Sequence, residues 1–338
     1  MRSPPFDLEE KRIREEIKRR HADTVLIQLP EGLKTRAIRL AEVVEEMGAV
    51  AIISADPCYG ACDIAVQEAE NLGADLMVHF GHSPKHGTER LGRVKVIYIE
   101  AKTSLSLDVV VEKAVPLLKT CKRIGLVTTV QHVDRLDEAR EILQKAGKSV
   151  AIGDAGRLSC AGQVIGCDYS NAQAVAEDVD VFLFIGGGRF HAIGVALSTS
   201  KPTLVADPYE TRVYSVDSDA DRIRKQRWAS LQEAMRAEQF GVLVGLKSGQ
   251  KRFEEAIQIR GKLKKKGMKS YLLAVREITP ETLLGFPAID AYINTACQRI
   301  SLDDASRFHK PVLTEKEALV VIGEITWEQL LRRGWFED

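Results

Sequence analysis

Short apolar runs rich in β-branched residues recur along this 338-residue chain in the same order three times. Each run is typical of a buried parallel strand, and the amphipathic stretches between the runs are typical of helices. The third run of each set starts near residues 76, 181 and 291, so the period is about 105 to 110 residues. A strand–helix–strand unit closes by a right-handed crossover and gives a parallel sheet. The sequence therefore predicts an α/β protein with three similar parallel-sheet domains, each of about four strands.

The predicted strands are 24–30, 49–54, 76–80 and 94–99, then 124–128, 149–152, 181–185 and 202–206, then 242–246, 270–275, 291–295 and 312–313. The predicted helices are 34–47, a helix from the loop at residue 62 to residue 73, 134–146, 219–238 and 250–266. We place the three domains at residues 1–103, 104–212 and 213–338.

Charge and hydropathy exclude several classes of protein. Lysine plus arginine and aspartate plus glutamate both count 48, so the net charge is zero and no global field attracts nucleic acid or an anionic membrane. The first 21 residues are crowded with charge and have no apolar core of a signal peptide. No stretch approaches the roughly 18 apolar residues of a membrane span. We expect a cytoplasmic protein that contacts neither membrane nor nucleic acid directly.

Three of the six cysteines follow strands, one in each repeat. Cys62 and Cys167 follow the second strands of their repeats, and Cys297 follows a third strand. Ligands of open α/β sheets bind at the carboxyl ends of the strands, so a pseudo-threefold packing of the repeats would bring these thiolates together. Three thiolates suit an iron–sulfur cluster with one open iron, whereas a structural zinc site takes four ligands. For any one cysteine, a buried thiol without a ligand role remains an alternative.

The other cysteines are not expected to be cluster ligands. Cys58 and Cys62 look like the start of the CxxxCxxC loop of ordinary radical enzymes, but position 65 is alanine and the third cysteine is missing. Neither Cys58 nor Cys160 is expected to be a cluster ligand, and Cys58 has no counterpart in the other repeats. Cys121 ends a helix that precedes a strand, which places it at the opposite edge of its sheet.

Three segments around the strand-end cysteines resemble the cluster motifs of one family. Residues 56–62, 162–167 and 295–303 are similar to the three motifs of the radical subunit of diphthamide synthase, archaeal type. The resemblance runs from about residue 25 to residue 311, in the same order and at the same separation. It implies a triplicated α/β fold around a central cluster, with Cys62, Cys167 and Cys297 as the cluster ligands.

The resemblance also implies a function. Members of this family bind a 4Fe–4S cluster and S-adenosylmethionine, and transfer a 3-amino-3-carboxypropyl group to a histidine of elongation factor 2. This reaction is the first step of diphthamide biosynthesis, and cleavage of the cosubstrate on its methionine side leaves methylthioadenosine. Archaeal members are homodimers, and the reaction requires an electron donor that the sequence does not identify. Many relatives are expected to carry proline after the third cysteine, where this chain has Gln298, and the neighbouring Arg299 is a candidate contact of S-adenosylmethionine.

Two glycine-containing loops are candidates for holding S-adenosylmethionine. The loop from Gly245 to Gln250 follows a strand and precedes a predicted helix, where backbone N–H groups and the helix dipole favour an anion. Its Lys247, Ser248 and Gln250 are candidate contacts of the cosubstrate carboxylate, although an ordinary turn would have the same sequence. The glycines at 186–188 also follow a strand and would allow close approach of a ribose.

Three histidines, His79, His82 and His191, lie near predicted strand ends, and each is a candidate substrate contact or an ordinary structural residue. Two other functions remain open. A lyase resembling quinolinate synthase would use a three-cysteine cluster as a Lewis acid on a small molecule. A binding module without catalytic activity would contain no iron.

Overall fold

The structure, a computed structural model, describes residues 6–84 and 93–336. The first five and last two residues of the predicted outer domains lie outside the described residues. The chain forms two compact units. The first contains the chain up to Leu105 together with residues 130–132 and 247–249. The second contains residues 106–129, 133–246 and the chain from Gln250 onward.

The first unit is built on one parallel sheet of four strands in the order β2-β1-β3-β4. The strands are β1 (Thr24–Gln28), β2 (Val50–Ile53), β3 (Leu76–Phe80) and β4 (Lys95–Ile99). The helices are α1 (Glu10–Arg20), a 3₁₀ helix (Glu31–Arg36), α2 (Ala37–Glu45) and α3 (Val66–Asn71). β3 is buried along its whole length, which is why its sequence is almost continuously apolar.

The second unit contains a five-stranded sheet in the order β6-β5-β7-β8-β9. The strands are β5 (Arg123–Thr128), β6 (Ser149–Ala151), β7 (Val181–Ile185), β8 (Thr203–Asp207) and β9 (Arg212–Ser215). The helices of this region are α4 (Asp108–Ala114), α5 (Leu136–Lys145), α6 (Ser170–Gln173) and α7 (Phe190–Thr199), with 3₁₀ turns at Val115–Leu118, Val133–Arg135 and Ala176–Asp178.

The second unit also contains a four-stranded parallel sheet in the order β11-β10-β12-β13. The strands are β10 (Gln239–Gly245), β11 (Lys269–Val275), β12 (Ala291–Asn294) and β13 (Val312–Thr314). The helices are α8 (Asp217–Ala234), α9 (Phe253–Lys265), α10 (Pro280–Leu284), α11 (Gln298–Asp303), α12 (Glu315–Ile322) and α13 (Trp327–Arg333), with a 3₁₀ turn at Ala305–Arg307.

The three sheets share one strand order, in which the first strand lies between the second and the third and the fourth follows the third. This confirms the predicted α/β fold with three similar, mainly parallel sheets. One difference is β9, which pairs antiparallel with β8 and extends the middle sheet to five strands. This edge strand is exposed at both ends and has no apolar run, so its sequence does not predict a strand. The predicted domain boundaries and the placement of the sheets around a central cluster stay predictions.

A buried ion pair fastens α8 to α12 within the second unit. Arg227 and Glu317 are both fully buried, and Arg227 Nε donates to Glu317 Oε1 at 2.8 Å. The guanidinium also donates to the carbonyls of Ser301 and Val312, at 2.8 and 3.0 Å. Trp335 Nε1 donates to the same carboxylate at 2.8 Å. Because every charged atom has a partner, the pair fixes the position of these helices rather than leaving a buried charge uncompensated.

Among the helices of the described residues, none combines the length and the apolar character that a bilayer crossing requires.

Candidate active site

The loop that carries Cys62 joins β2 to α3 in the first unit, beyond the carboxyl end of β2. Cys62 is partly exposed, and its backbone carbonyl accepts a hydrogen bond of 2.9 Å from Gly249 N–H. A Cβ atom built on Gly249 would lie 2.5 Å from Cys62 Cα, so only glycine fits against this loop. Residues 247–249, which are far away in sequence, thereby form one wall of the Cys62 loop.

Replacing Gly249 by alanine is expected to displace this loop, because the clash involves backbone that cannot rotate away. Overpacking of this kind lowers the free energy of unfolding by about 1–3 kcal/mol. Gly32→Ala is the matched control in the same unit, since a Cβ there meets no atom within 4 Å. Hydrogen-exchange mass spectrometry should find faster exchange in residues 60–66 of the Gly249→Ala protein than in either the control or the parent. Equal exchange in all three would contradict this packing.

Lys247 is buried against the same loop. Its Nζ lies 2.9 Å from Asp63 Oδ2 and 4.3 Å from the centre of the Tyr59 ring. Ser248 Oγ donates to the carbonyl of Ile64 at 3.4 Å. The Asp63 carboxylate therefore compensates the lysine charge, and the segment packs as a structural wall of the first unit.

The loop joins β10 to α9 as predicted, but the helix begins three residues later than the predicted start at residue 250. β10 ends at Gly245 and α9 begins only at Phe253, with Arg252 as its N-cap. Gln250, the remaining predicted contact, is buried and belongs to the second unit. The predicted order of strand, turn and helix is therefore present, and the ion pair between Lys247 and Asp63 holds the turn against the Cys62 loop.

In the second unit, Cys167 lies in the loop between β6 and α6. The buried Asn171 organises this loop, because its Nδ2 donates to the carbonyls of Cys160 and Gln163 at 2.9 and 3.0 Å. Its Oδ1 accepts from Ala155 N–H at 2.8 Å. Cys167 is partly exposed.

Cys297 lies three residues after the end of β12 and is the N-cap of α11. Asn294 holds the turn, since its Oδ1 accepts from the N–H groups of Ala296 and Cys297 and its Nδ2 donates to the Cys297 carbonyl at 2.7 Å. The Cys297 side chain is partly exposed at the carboxyl edge of the sheet.

The second unit brings Cys167 and Cys297 into one neighbourhood. Both thiols lie within electrostatic range of the Tyr169 hydroxyl, whose pKa is raised mainly by complete burial. A Cβ atom built on Gly194 of α7 would lie 1.9 Å from the Tyr169 hydroxyl oxygen, so only glycine at this position leaves room for the ring. That these two strand-end cysteines converge on one cluster stays a prediction.

Arg299 is the buried cation of this edge. Its guanidinium lies 3.8 Å from the centre of the Phe190 ring, and Nη2 donates to the Phe190 carbonyl at 2.9 Å. Nε lies 2.7 Å from Asp303 Oδ2. Burial raises the pKa of the Asp303 carboxyl, and the neighbouring Arg299 acts in the opposite direction. Among the described residues Nη1 has no hydrogen-bond partner, so a donor is left available to a bound anion.

The glycines at 186–188 follow β7, as predicted, and lead into α7. Gly188 N–H donates to Asp207 Oδ2 at 3.2 Å, and a Cβ on Gly187 would lie 2.9 Å from the Tyr209 ring. These contacts explain the glycines by close packing. His191, in the first turn of α7, stacks on the ring of Phe184 with centroids 5.9 Å apart.

The first unit contains a group of side chains that sequence reasoning did not bring together. Cys58, His79 and His82 place one ligand-type atom each within 4.8 Å of the others. The sequence pattern offers the two histidines only as candidate substrate contacts, and Cys58 has no counterpart in the other repeats. The usable signal was the pair of histidines three residues apart at the end of a buried strand.

Fold and site define a class of protein: an α/β protein with partly exposed thiols at the carboxyl edges of its parallel sheets, suited to a metal–sulfur cofactor. All six cysteines lie within the described ranges, and none forms a disulfide. The model of the putative diphthamide synthesis protein family matches residues 29–331. The chain therefore belongs to the diphthamide synthesis family.

Individual relatives agree with this. The chain is 40% identical over 314 residues to 2-(3-amino-3-carboxypropyl)histidine synthase of Pyrococcus horikoshii, a match that covers 92% of this chain and 89% of the relative. It is 31% identical over 316 residues to subunit 1 of the synthase of Gallus gallus, covering 93% and 76%. A crystal structure of Dph2 from Pyrococcus horikoshii with a 4Fe–4S cluster matches with a TM-score of 0.86 and 36% identity, covering 98% of this chain and 94% of that one. This similarity favours the synthase over the lyase and the binding module.

Proposed function

We propose that the chain is a radical transferase that moves a 3-amino-3-carboxypropyl group from S-adenosylmethionine to a histidine of elongation factor 2, the first step of diphthamide biosynthesis. The observation that carries this proposal is the 40% identity, over 92% of the chain, to a relative named for the product of this reaction. The exposed strand-end thiols supply the chemistry that such a reaction requires.

The residues present fit a 4Fe–4S cluster. Cys62, Cys167 and Cys297 are the proposed ligands, each partly exposed and each beyond the carboxyl end of a strand. Small residues precede all three, which lets backbone N–H groups approach cluster sulfur and tune its potential. When bound, the cluster supplies one electron to the sulfonium of S-adenosylmethionine. Three protein thiolates leave one iron for the cosubstrate.

Arg299 is the proposed partner of the cosubstrate carboxylate in the second unit. Its buried Nη1 is a charged donor, and stacking on Phe190 with the ion pair to Asp303 keeps the guanidinium plane fixed. A charge-assisted hydrogen bond from such a fixed donor orients the bound molecule as well as holding it. Lys247, Ser248 and Gln250 remain proposed contacts. Of these, Lys247 already forms an ion pair with Asp63, so its ammonium group would contact the Asp63 carboxylate and the cosubstrate carboxylate together.

Replacing Arg299 by lysine is expected to raise the KM for S-adenosylmethionine about tenfold or more. Lysine keeps the charge but lacks the planar fork that stacks on Phe190, and a hydrogen bond to a charged group contributes about 1.5–3 kcal/mol. Arg307→Lys is the control, because Arg307 is exposed and pairs loosely with Asp304 at 3.5 Å. Steady-state kinetics under anaerobic conditions give the comparison. An unchanged KM in the Arg299→Lys protein would remove Arg299 from the site.

The proposal also names partners. Elongation factor 2 is the protein substrate, an electron donor of unidentified nature reduces the cluster, and the chain acts as a cytoplasmic homodimer. The resemblance to archaeal members supports the dimer, and the balanced charge offers no repulsion against it. Light scattering at micromolar concentration tests this, and a stable monomer would contradict it.

Product analysis tests the transferase itself. Anaerobic, dithionite-reduced protein is incubated with S-adenosylmethionine, and the products are separated by liquid chromatography. We expect methylthioadenosine, because transfer of the three-carbon group requires cleavage of the sulfonium on its methionine side. 5′-Deoxyadenosine as the main product, or no turnover with an intact reduced cluster, would contradict the proposed mechanism.

A further inference from the structure

Three side chains with metal-ligand chemistry meet at the carboxyl end of β3 in the first unit. Cys58 Sγ, an imidazole nitrogen of His79 and one of His82 all lie within 4.8 Å of one another. Cys58 comes from the loop after β2, His79 from β3 itself and His82 from the turn that follows. Cys58 and His79 are buried and His82 is partly buried.

The hydrogen bonds around His79 prepare one of its nitrogens as a ligand. Nδ1 lies 2.8 Å from Gln28 Oε1. The orientation of the Gln28 amide is fixed independently, since its Nε2 donates to the Asp63 carbonyl at 2.8 Å and Ala65 N–H points at its Oε1. An amide oxygen only accepts, so Nδ1 carries the ring proton and Nε2 presents a lone pair. A ring held in this way by a second residue is the usual arrangement of metal-binding histidines.

The lone pair of His79 Nε2 points into the group. It accepts a hydrogen bond from His82 Nδ1–H at 3.0 Å, and the ring centres are 5.1 Å apart. Burial lowers the pKa of His79 well below its ordinary value and that of His82 to about 4, so both rings are neutral. Burial raises the pKa of the Cys58 thiol to about 12. Two neutral imidazoles and one thiol form a donor set that accepts a cation once the thiol proton leaves.

We propose that Cys58, His79 and His82 form a mononuclear site for a borderline-soft divalent metal of the zinc class, distinct from the three cysteines proposed for the cluster. At Zn–S of about 2.3 Å and Zn–N of about 2.0–2.1 Å, tetrahedral ligand atoms lie roughly 3.3–3.6 Å apart. The metal would replace the hydrogen bond between the two rings: the imidazole nitrogens would separate slightly, the His82 ring proton would move from Nδ1 to Nε2, and the thiol would approach to reach this geometry. The Cys58 proton passes to solvent as the metal binds, and an exogenous ligand takes the fourth position.

Such a metal has a structural consequence for the loop of Cys62. It ties Cys58, four residues earlier in the same loop, to the end of β3. The loop is otherwise held by the wall formed by residues 247–249, through Gly249 and Lys247. The metal therefore fastens the second side of a segment whose position determines where Cys62 lies.

Zinc binding to the cluster-loaded protein tests the site. The full chain is reconstituted anaerobically, incubated with Zn²⁺, passed through a desalting column and analysed for zinc and iron. X-ray absorption at the zinc edge then counts the ligands. We expect one zinc per chain with a shell of one sulfur at about 2.3 Å and two imidazole nitrogens at about 2.0–2.1 Å. Cys58→Ala and His82→Ala should each retain at least tenfold less zinc, with iron unchanged.

Cys121→Ala is the matched control, because it removes a partly buried thiol distant in sequence from this group, and it should retain zinc like the parent. Three outcomes would overturn the proposal: no retained zinc in the parent, zinc retained by both Cys58→Ala and His82→Ala, or a shell of three or more sulfurs, which would place the zinc on the cluster cysteines. Loss of iron in Cys58→Ala would also overturn it, since Cys58 would then belong to the cluster. Loss of zinc with intact iron leaves the proposed transferase function untouched, so the two proposals fail separately.

Discussion

Alanine at position 62, 167 or 297 is expected to abolish the iron–sulfur cluster and all turnover. Each cysteine supplies one of only three protein thiolates, and two thiolates from a partly exposed site do not retain a 4Fe–4S cluster against solvent and oxidation. The expected result is near-zero iron and sulfide after anaerobic reconstitution, with loss of the broad visible absorption of the cluster. The fold should remain, because all three side chains lie at loop edges rather than in the cores.

The controls for this experiment are the remaining cysteines. Cys58→Ala, Cys121→Ala and Cys160→Ala should keep iron near the level of the parent. Circular dichroism establishes that each variant is folded before its iron is counted. If Cys62→Ala kept a full cluster while Cys58→Ala lost it, the assignment within the 58–62 loop would be wrong, and the proposed zinc site would be wrong with it.

Replacing Arg227 by methionine is expected to cost about 3–5 kcal/mol of unfolding free energy, the usual penalty for leaving one member of a buried ion pair unpaired. The Glu317 carboxylate would remain fully buried, without its cation, and would still be held by the indole of Trp335. The carbonyls of Ser301 and Val312 would lose their donor as well. A typical domain has a total unfolding free energy of only about 5–15 kcal/mol, so this substitution removes a large share of it.

Tryptophan fluorescence during chemical denaturation measures this effect in the right place, because all three tryptophans, at 228, 327 and 335, belong to the second unit. Arg222→Met on the same helix is the control. Its guanidinium is 68% exposed and lies 3.4 Å from Asp219, so its loss should cost about 1 kcal/mol or less. If the unfolding free energy fell equally in the two variants, the buried ion pair would contribute no more to stability than a surface ion pair.

The sheets could be predicted from sequence because buried parallel strands consist of nearly continuous apolar residues. β3 and β7 have the predicted bounds, since all five residues of each are buried on both faces. Helix α1 is not predicted from its charged sequence, because its contribution to the core is limited to Ile13 and Ile17. The predicted helix from residue 34 begins as a 3₁₀ turn, and its α-helical part starts at Ala37. Packing, rather than local sequence, decides such ends.

The site could be predicted in part for the same physical reason. The strand-end cysteines follow from topology, because the carboxyl ends of parallel strands meet at one edge. The contact between Lys247 and Asp63 joins residues 184 positions apart, and no local pattern encodes it. The group of Cys58, His79 and His82 depends equally on how the loop after β2 folds over β3. Repeat symmetry argued against Cys58, yet a site confined to one repeat needs no counterpart in the others.

Transfer to the protein substrate tests the central claim most directly. Elongation factor 2 is incubated anaerobically with the reduced, cluster-loaded protein and S-adenosylmethionine labelled in its methionine carbons, then digested and analysed by mass spectrometry. We expect one histidine of elongation factor 2 to gain the mass of a labelled 3-amino-3-carboxypropyl group, with an equal amount of methylthioadenosine, and neither product with the Cys297→Ala protein. Unmodified elongation factor 2 in the presence of methylthioadenosine formation, or label on a residue other than histidine, would contradict the proposed function.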